Sequence, residues 1–254
     1  MSSVELAIVI ILLAFVCEFI DSSLGMGYGT TLTPLLLIAG FKPLQIVPAL
    51  LLSEFIAGLL ASFFHHRREN VNFRRGSLDF KIAAVMSACS IVAALAAVFI
   101  AIKIPPFFLK LYIAIIVLAM GIIILATMRR SFRFSWGKIL ALGSFAAFNK
   151  GISGGGYGPL VTGGQILSGV GSKNAIGITA LAEGVTCFVG VAAYFAVSNH
   201  AIDWRLAPYL ILGAVVSVPF ATLTVKKLKS QSLKLGVGIA TLLLGSFTLY
   251  KVLF

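Results

Sequence analysis

The segment Glu18-Phe19-Ile20-Asp21-Ser22-Ser23-Leu24-Gly25-Met26-Gly27-Tyr28-Gly29-Thr30-Thr31-Leu32-Thr33-Pro34 decides how this chain is read, because it returns in altered form later in the sequence. The second version is Phe148-Asn149-Lys150-Gly151-Ile152-Ser153-Gly154-Gly155-Gly156-Tyr157-Gly158-Pro159-Leu160. A gapless shift of 129 residues superposes Gly25 on Gly154, Gly27 on Gly156, Tyr28 on Tyr157 and Gly29 on Gly158. The same shift brings Thr33 onto Thr162, Gly40 onto Gly169 and Glu54 onto Glu183. The glutamates weigh most, since carboxylates inside apolar helices are too rare to coincide through composition. The chain therefore divides into an N-terminal repeat, 1–128, and a C-terminal repeat, 129–254, within one membrane domain.

Around these segments the sequence is strongly apolar. Of 254 residues 59% are hydrophobic and 11% charged, too little charge to coat a soluble protein of this size. The net charge of +12 would suggest nucleic acid in a soluble chain. Here thirteen of the twenty Lys and Arg residues fall in the windows 65–81, 129–138 and 226–234, as the positive-inside rule requires of cytoplasmic loops. Cys17, Cys89 and Cys187 are scattered through apolar stretches and form neither a disulfide framework nor a zinc motif. The start of the chain lacks a basic leader, so the first helix is expected to stay in the mature protein.

Apolar runs long enough to span a bilayer lie at 4–24, 46–64, 80–102, 108–128, 174–197, 204–226 and 232–254. Residues 25–45 and 138–173 are apolar but broken by glycine and proline. Irregular backbone at membrane depth is tolerated only against protein or a cavity. For all three basic windows to share one side, 138–173 must cross an even number of times, as a hairpin does. Each half is then a hairpin plus three spans, and that odd count inverts one half relative to the other. The fold predicted is an all-α integral membrane bundle of two inverted repeats with glycine-broken helices, its termini outside.

The breaks hold the candidate chemistry. Dense glycine unwinds a helix and bares its amides, Pro159 suits the first position of a new helix, and Thr30 suits a cap. Half-helix N-termini at Gly25, Gly27, Tyr28, Gly29 and at Gly154, Gly155, Gly156, Tyr157, Gly158 would attract anions. The competing reading makes the same glycines small-residue contacts between helices. Ser22, Ser23, Asn149 and Ser153 offer neutral hydrogen bonds to oxyanion oxygens. Lys150, whose repeat counterpart is Asp21, either neutralises substrate or pairs with Asp21, Glu54 or Glu183. Asp21, Glu54 and Glu183 are the candidates for gating or coupling. A carboxylate beside an anion repels it until protonated, which gives a route to proton coupling, while the alternative has the glutamates bracing the broken helices. His65, His66 and His200 read as loop residues, so neither a metal site nor a cofactor is expected. No nucleophile or nucleotide motif appears, and no enzyme is expected.

Paired Gly-x-Gly-x-Gly and Ser-Gly-Gly-Gly-Tyr-Gly-Pro elements, each opening half of a small polytopic protein, resemble the sulfite exporter TauE/SafE family, also described as the four-toluene-sulfonate uptake permeases. The resemblance spans residues 15–250, and the first motif departs from the commoner Gly-Gly-Gly form in having Met26. It implies transport of sulfur-containing anions such as sulfite, sulfoacetate and other organosulfonates, mostly in bacterial inner membranes. The expectation is a secondary transporter working by alternating access, with export and proton coupling as the readings carried forward and the anion, the direction and the coupling ion left open by the sequence. Its partners are a small anion, protons and the lipid bilayer, with no nucleic acid. A passive anion channel is the alternative, and an intramembrane enzyme a more distant one.

Overall fold

The computed structural model describes residues 3–127, 135–167, 170–197, 201–225 and 230–253. Among these residues the chain forms ten helices and no strand: α1 (Ser3–Leu24), α2 (Tyr28–Ile38), α3 (Pro43–Arg67), α4 (Leu78–Ala101), α5 (Pro106–Thr127), α6 (Trp136–Ser153), α7 (Tyr157–Leu167), α8 (Ser172–Val197), α9 (Ala207–Thr224) and α10 (Ser230–Leu253). Among the described residues each of the seven apolar runs is helical over most of its length. Five stretches among the described residues are long and apolar enough to cross a bilayer, namely α3, α4, Pro106–Ile123 of α5, α8 and α9.

Local signals explain several boundaries. Pro43 opens α3, where its missing N–H costs nothing, and Gln45 Oε1 accepts the Lys42 N–H at 2.9 Å. The Ser77 hydroxyl caps α4 by accepting the Phe80 N–H. Two expectations about the breaks need correction. Thr30 does not cap α2. The cap position is Gly27, with φ 138° and no side-chain bond, and Thr30 lies inside the helix with its hydroxyl 3.3 Å from the Gly27 carbonyl. Pro159 is the third residue of α7 rather than its first, still within the turn whose N–H groups lack helical partners. The helix α3 also runs further than its apolar core, so His65 and His66 belong to it and not to a loop. The basic window 129–138 lies largely outside the described residues, as do 226–229, His200 and the boundary between the two halves at 128 and 129.

Glycines at helix contacts reveal the directions. Gly58 of α3 lies against Gly184 of α8, and Leu51 against Gly190, so these helices run antiparallel. Gly121 of α5 meets Leu242 of α10 while Leu118 meets Gly245, again antiparallel. By contrast α1 and α9 run parallel, with Ile11 beside Gly213 and Phe15 beside Phe220. So do α4 and α6, with Met86 beside Gly143 and Ala97 beside Gly151. The pairs α1–α9 and α6–α4 correspond when each helix is exchanged for the one five places away, as do α3–α9 and α8–α4.

Candidate functional site

The two breaks meet. Every described side chain and glycine from Ser22 to Thr30 and from Gly151 to Gly158 is buried. At Gly25 (φ 70°) and Gly154 (φ 72°) the chain enters the left-handed region, which glycine adopts without penalty. It then doubles back, bringing the Tyr28 N–H within 3.1 Å of the Asp21 carboxylate seven residues earlier. A Cβ placed on Gly29 would overlap the Gly154 carbonyl oxygen, and one on Gly158 would overlap that of Gly25. The glycines therefore let two stretches of bare backbone touch reciprocally, the closest form of the small-residue contact considered from sequence.

Side chains fix each break with the same reciprocity. Thr162 of α7 places its hydroxyl 2.7 Å from the Gly25 carbonyl and 2.7 Å from Thr179 Oγ1, while its repeat counterpart Thr33 faces Gly154. His65 Nε2 lies 3.0 Å from the Ser22 carbonyl oxygen, and the Tyr194 hydroxyl donates to that of Gly151 at 3.1 Å. Positions 65 and 194, like 22 and 151, are separated by the same 129 residues. We expect Thr162→Val to lower stability by about 1–3 kcal/mol, the usual loss when a buried acceptor is left without its donor. Thr162→Ser should restore it, as read by thermal unfolding in detergent.

Beside the breaks sits a charged cluster. Lys150, 1% exposed, pairs through Nζ with Glu54 of α3 and with Glu183 of α8, the second at 2.7 Å. It thus bridges the two symmetry-matched glutamates across the α3–α8 contact, the pairing reading considered for it. Asp21 lies within electrostatic reach. Glu18, buried one turn before Ser22, accepts the Ser22 hydroxyl proton at 2.5 Å. Glu18, Asp21, Ser22, Gly25, Glu54 and Glu183 line a cavity of about 10 Å³, which holds about one water. Glu54 Oε1 is buried with no hydrogen-bond partner.

Other expected ligands are engaged within the protein. Ser23 donates to the Ala221 carbonyl at 3.4 Å, Ser153 to the Asn149 carbonyl at 2.8 Å, and Asn149 Oδ1 accepts from Tyr112. Tyr28 shares a 2.8 Å hydrogen bond with Ser53, whereas the Tyr157 hydroxyl is buried without a partner. The halves therefore differ where it matters. Asp21 already supplies a negative group to the start of α2; at its counterpart position the second half carries a cation. Among the described residues no group of three or more His, Cys, Asp or Glu side chains is placed to hold a metal.

Sequence reading assigned no role to Glu18, although it meets the same criterion of an intramembrane carboxylate. It also missed His65, for which the 129-residue shift onto Tyr194 supplies a signal only once both are known to hold a backbone carbonyl.

A sequence model of the sulfite exporter TauE/SafE proteins matches residues 10–248. The chain belongs to the sulfite exporter TauE/SafE family. It is 27% identical over 256 residues to the probable membrane transporter protein YtnM of Bacillus subtilis (strain 168), covering 95% of this chain and 82% of that protein. No solved structure matches it. A TauE/SafE protein with several bilayer-length apolar helices is a multi-pass membrane protein, and the family of exporters and the probable transporter it resembles make it a membrane transporter.

Proposed function

We propose that this TauE/SafE protein is a secondary transporter of small sulfur-containing anions, with sulfite, sulfoacetate and other organosulfonates as the substrate class. The observation that carries the reading is the buried Lys150, held at the junction of two broken helices by one glutamate from each half. A cation at that depth is costly and needs a purpose beyond packing. The family description supplies sulfite as the prototype, and the second break, which has Lys150 where the first has Asp21, is the favoured anion side.

Transport follows alternating access about the α3–α8 contact, with the two halves inverted in the bilayer. The antiparallel pairing of α3 with α8 and of α5 with α10 supports inversion, because a helix and its repeat counterpart run oppositely only about an axis lying across them. A cavity for one water is too small for a sulfur oxyanion, so the conformation is closed around the cluster, and passage requires the breaks to part. Gly154–Gly158, Asn149 and Ser153 then join Lys150 at the anion, with Gly25–Thr30, Ser22 and Ser23 opposite, while Asp21, Glu54 and Glu183 gate and couple. We place the protein in a bacterial inner membrane with its basic windows cytoplasmic and export as the working direction.

Purified protein should be screened by thermal shift against sulfite, sulfate, thiosulfate and sulfonates. A sulfite- or sulfonate-selective rise in melting temperature is expected, reflecting about 2.7 kcal/mol of added stability at a hundredfold excess over Kd. Indifference to every sulfur anion would remove the reading. In proteoliposomes the same anion should accumulate against its electrochemical gradient, which a passive channel cannot achieve.

A further inference from the structure

The cluster is unbalanced. One ammonium pairs with Glu54 on α3 and Glu183 on α8 and has Asp21 on α1 within electrostatic reach, while Glu18 on α1 lines the same cavity as these three carboxylates. The other titratable groups facing them are the Cys187 thiol, 3.7 Å from Glu54 Oε2, the phenols of Tyr28 and Tyr157, and His65. His65 offers no replacement cation, since its two ring nitrogens already meet the Ser22 carbonyl and Asn70.

An anion arriving at Lys150 meets an ammonium already shared by two carboxylates and competes with them for it. If it takes the place of Glu54 or Glu183, that carboxylate is left buried beside a second negative group. A carboxylate stranded in a buried site without its cation favours the protonated form, because burial penalises the charge alone. Glu54 is the better prepared of the two, because it lines the cavity and its Oε1 is buried with no partner, leaving that oxygen free to carry the proton.

Resting on the transporter reading above, we propose that anion and proton bind this site together: each anion that reaches Lys150 is matched by protonation of Glu54 or Glu183, making the transport a proton–anion symport rather than an exchange. Protons running inward would then load the anion inward. Export would require an anion gradient, or the membrane potential acting on the net charge carried, to overcome the proton gradient.

The test is calorimetric titration of the purified full chain with sulfoacetate, whose charge is constant between pH 6 and 8. Affinity should rise about tenfold for each pH unit lowered, the slope for one proton taken up with the anion. Binding heats in buffers of different ionisation enthalpy should show proton uptake by the protein. Glu54→Gln, which keeps the Lys150–Glu183 pair, should bind more tightly at pH 8 and lose most of the slope; Glu183→Gln should behave alike. Proton release, or a pH-independent affinity in the unaltered protein, would overturn the symport proposal while leaving the transporter reading in place. Should the glutamine variants misfold, the proton count on the unaltered protein still decides. Binding of neither sulfoacetate, sulfite nor toluene-4-sulfonate at any pH would remove both.

Discussion

Lys150→Met should abolish anion-dependent flux and destabilise the protein by about 3–5 kcal/mol at neutral pH, the range for removing one member of a buried ion pair. The lysine is fully enclosed, and its two bridges join α6 to α3 and to α8. Without it, Glu54 and Glu183 face each other and the nearby Asp21 with no cation between them. The sign of the pH effect follows. The variant should recover stability as the medium is acidified, because carboxylates that take up protons no longer need a counter-charge. The unaltered protein, in which Lys150 still offsets Glu54 and Glu183, should gain less. Scanning calorimetry between pH 5 and 8, alongside flux in proteoliposomes, separates the two roles of the residue: flux that survives in a destabilised variant would reduce Lys150 to a structural brace.

Gly29→Val and Gly158→Val should each cost about 3 kcal/mol or more, enough that little protein accumulates in the membrane. The new side chain at either position would meet backbone of the other break, Gly154 and Gly155 in one case and Gly25 and Met26 in the other. Backbone cannot rotate aside as a side chain can. Gly40→Ala serves as a control, because a Cβ there meets no atom within 4 Å; its φ of 100° makes the substitution strained, but locally. Membrane yield measured by fluorescence-detection chromatography checks this. Normal yield of either valine variant would show that the breaks do not depend on direct contact.

In the sequence these glycines read as an anion cradle, whose loss would be one cause of a defect. Contact between the breaks provides a second and more immediate cause, and the two are separable: a packing defect lowers yield in the absence of any anion, a cradle defect only the response to one.

Much of this protein was legible without coordinates. Apolar runs of about bilayer length locate the membrane helices, and glycine density with an internal repeat locates the breaks, because hydrophobicity and backbone freedom are local properties written into consecutive residues. Matching Glu54 to Glu183 through the 129-residue shift likewise needed only the chain. Other features lay beyond such reasoning. Lys150 could have paired with any of three carboxylates, and the choice of Glu54 and Glu183 depends on how α3 and α8 cross. Thr30 looked like a cap, yet the left-handed turn at Gly27 starts the helix earlier. His65 looked like the first residue of a basic loop, but α3 continues past it and turns the ring onto the Ser22 carbonyl. Glu18 gained meaning only when the packing of α1 beside α8 brought it to the same cavity as Glu183. Apart from the local turn at Gly27, the deciding term is a contact between residues far apart in sequence, whose energy depends on distance and burial in three dimensions and leaves no periodic trace along the chain.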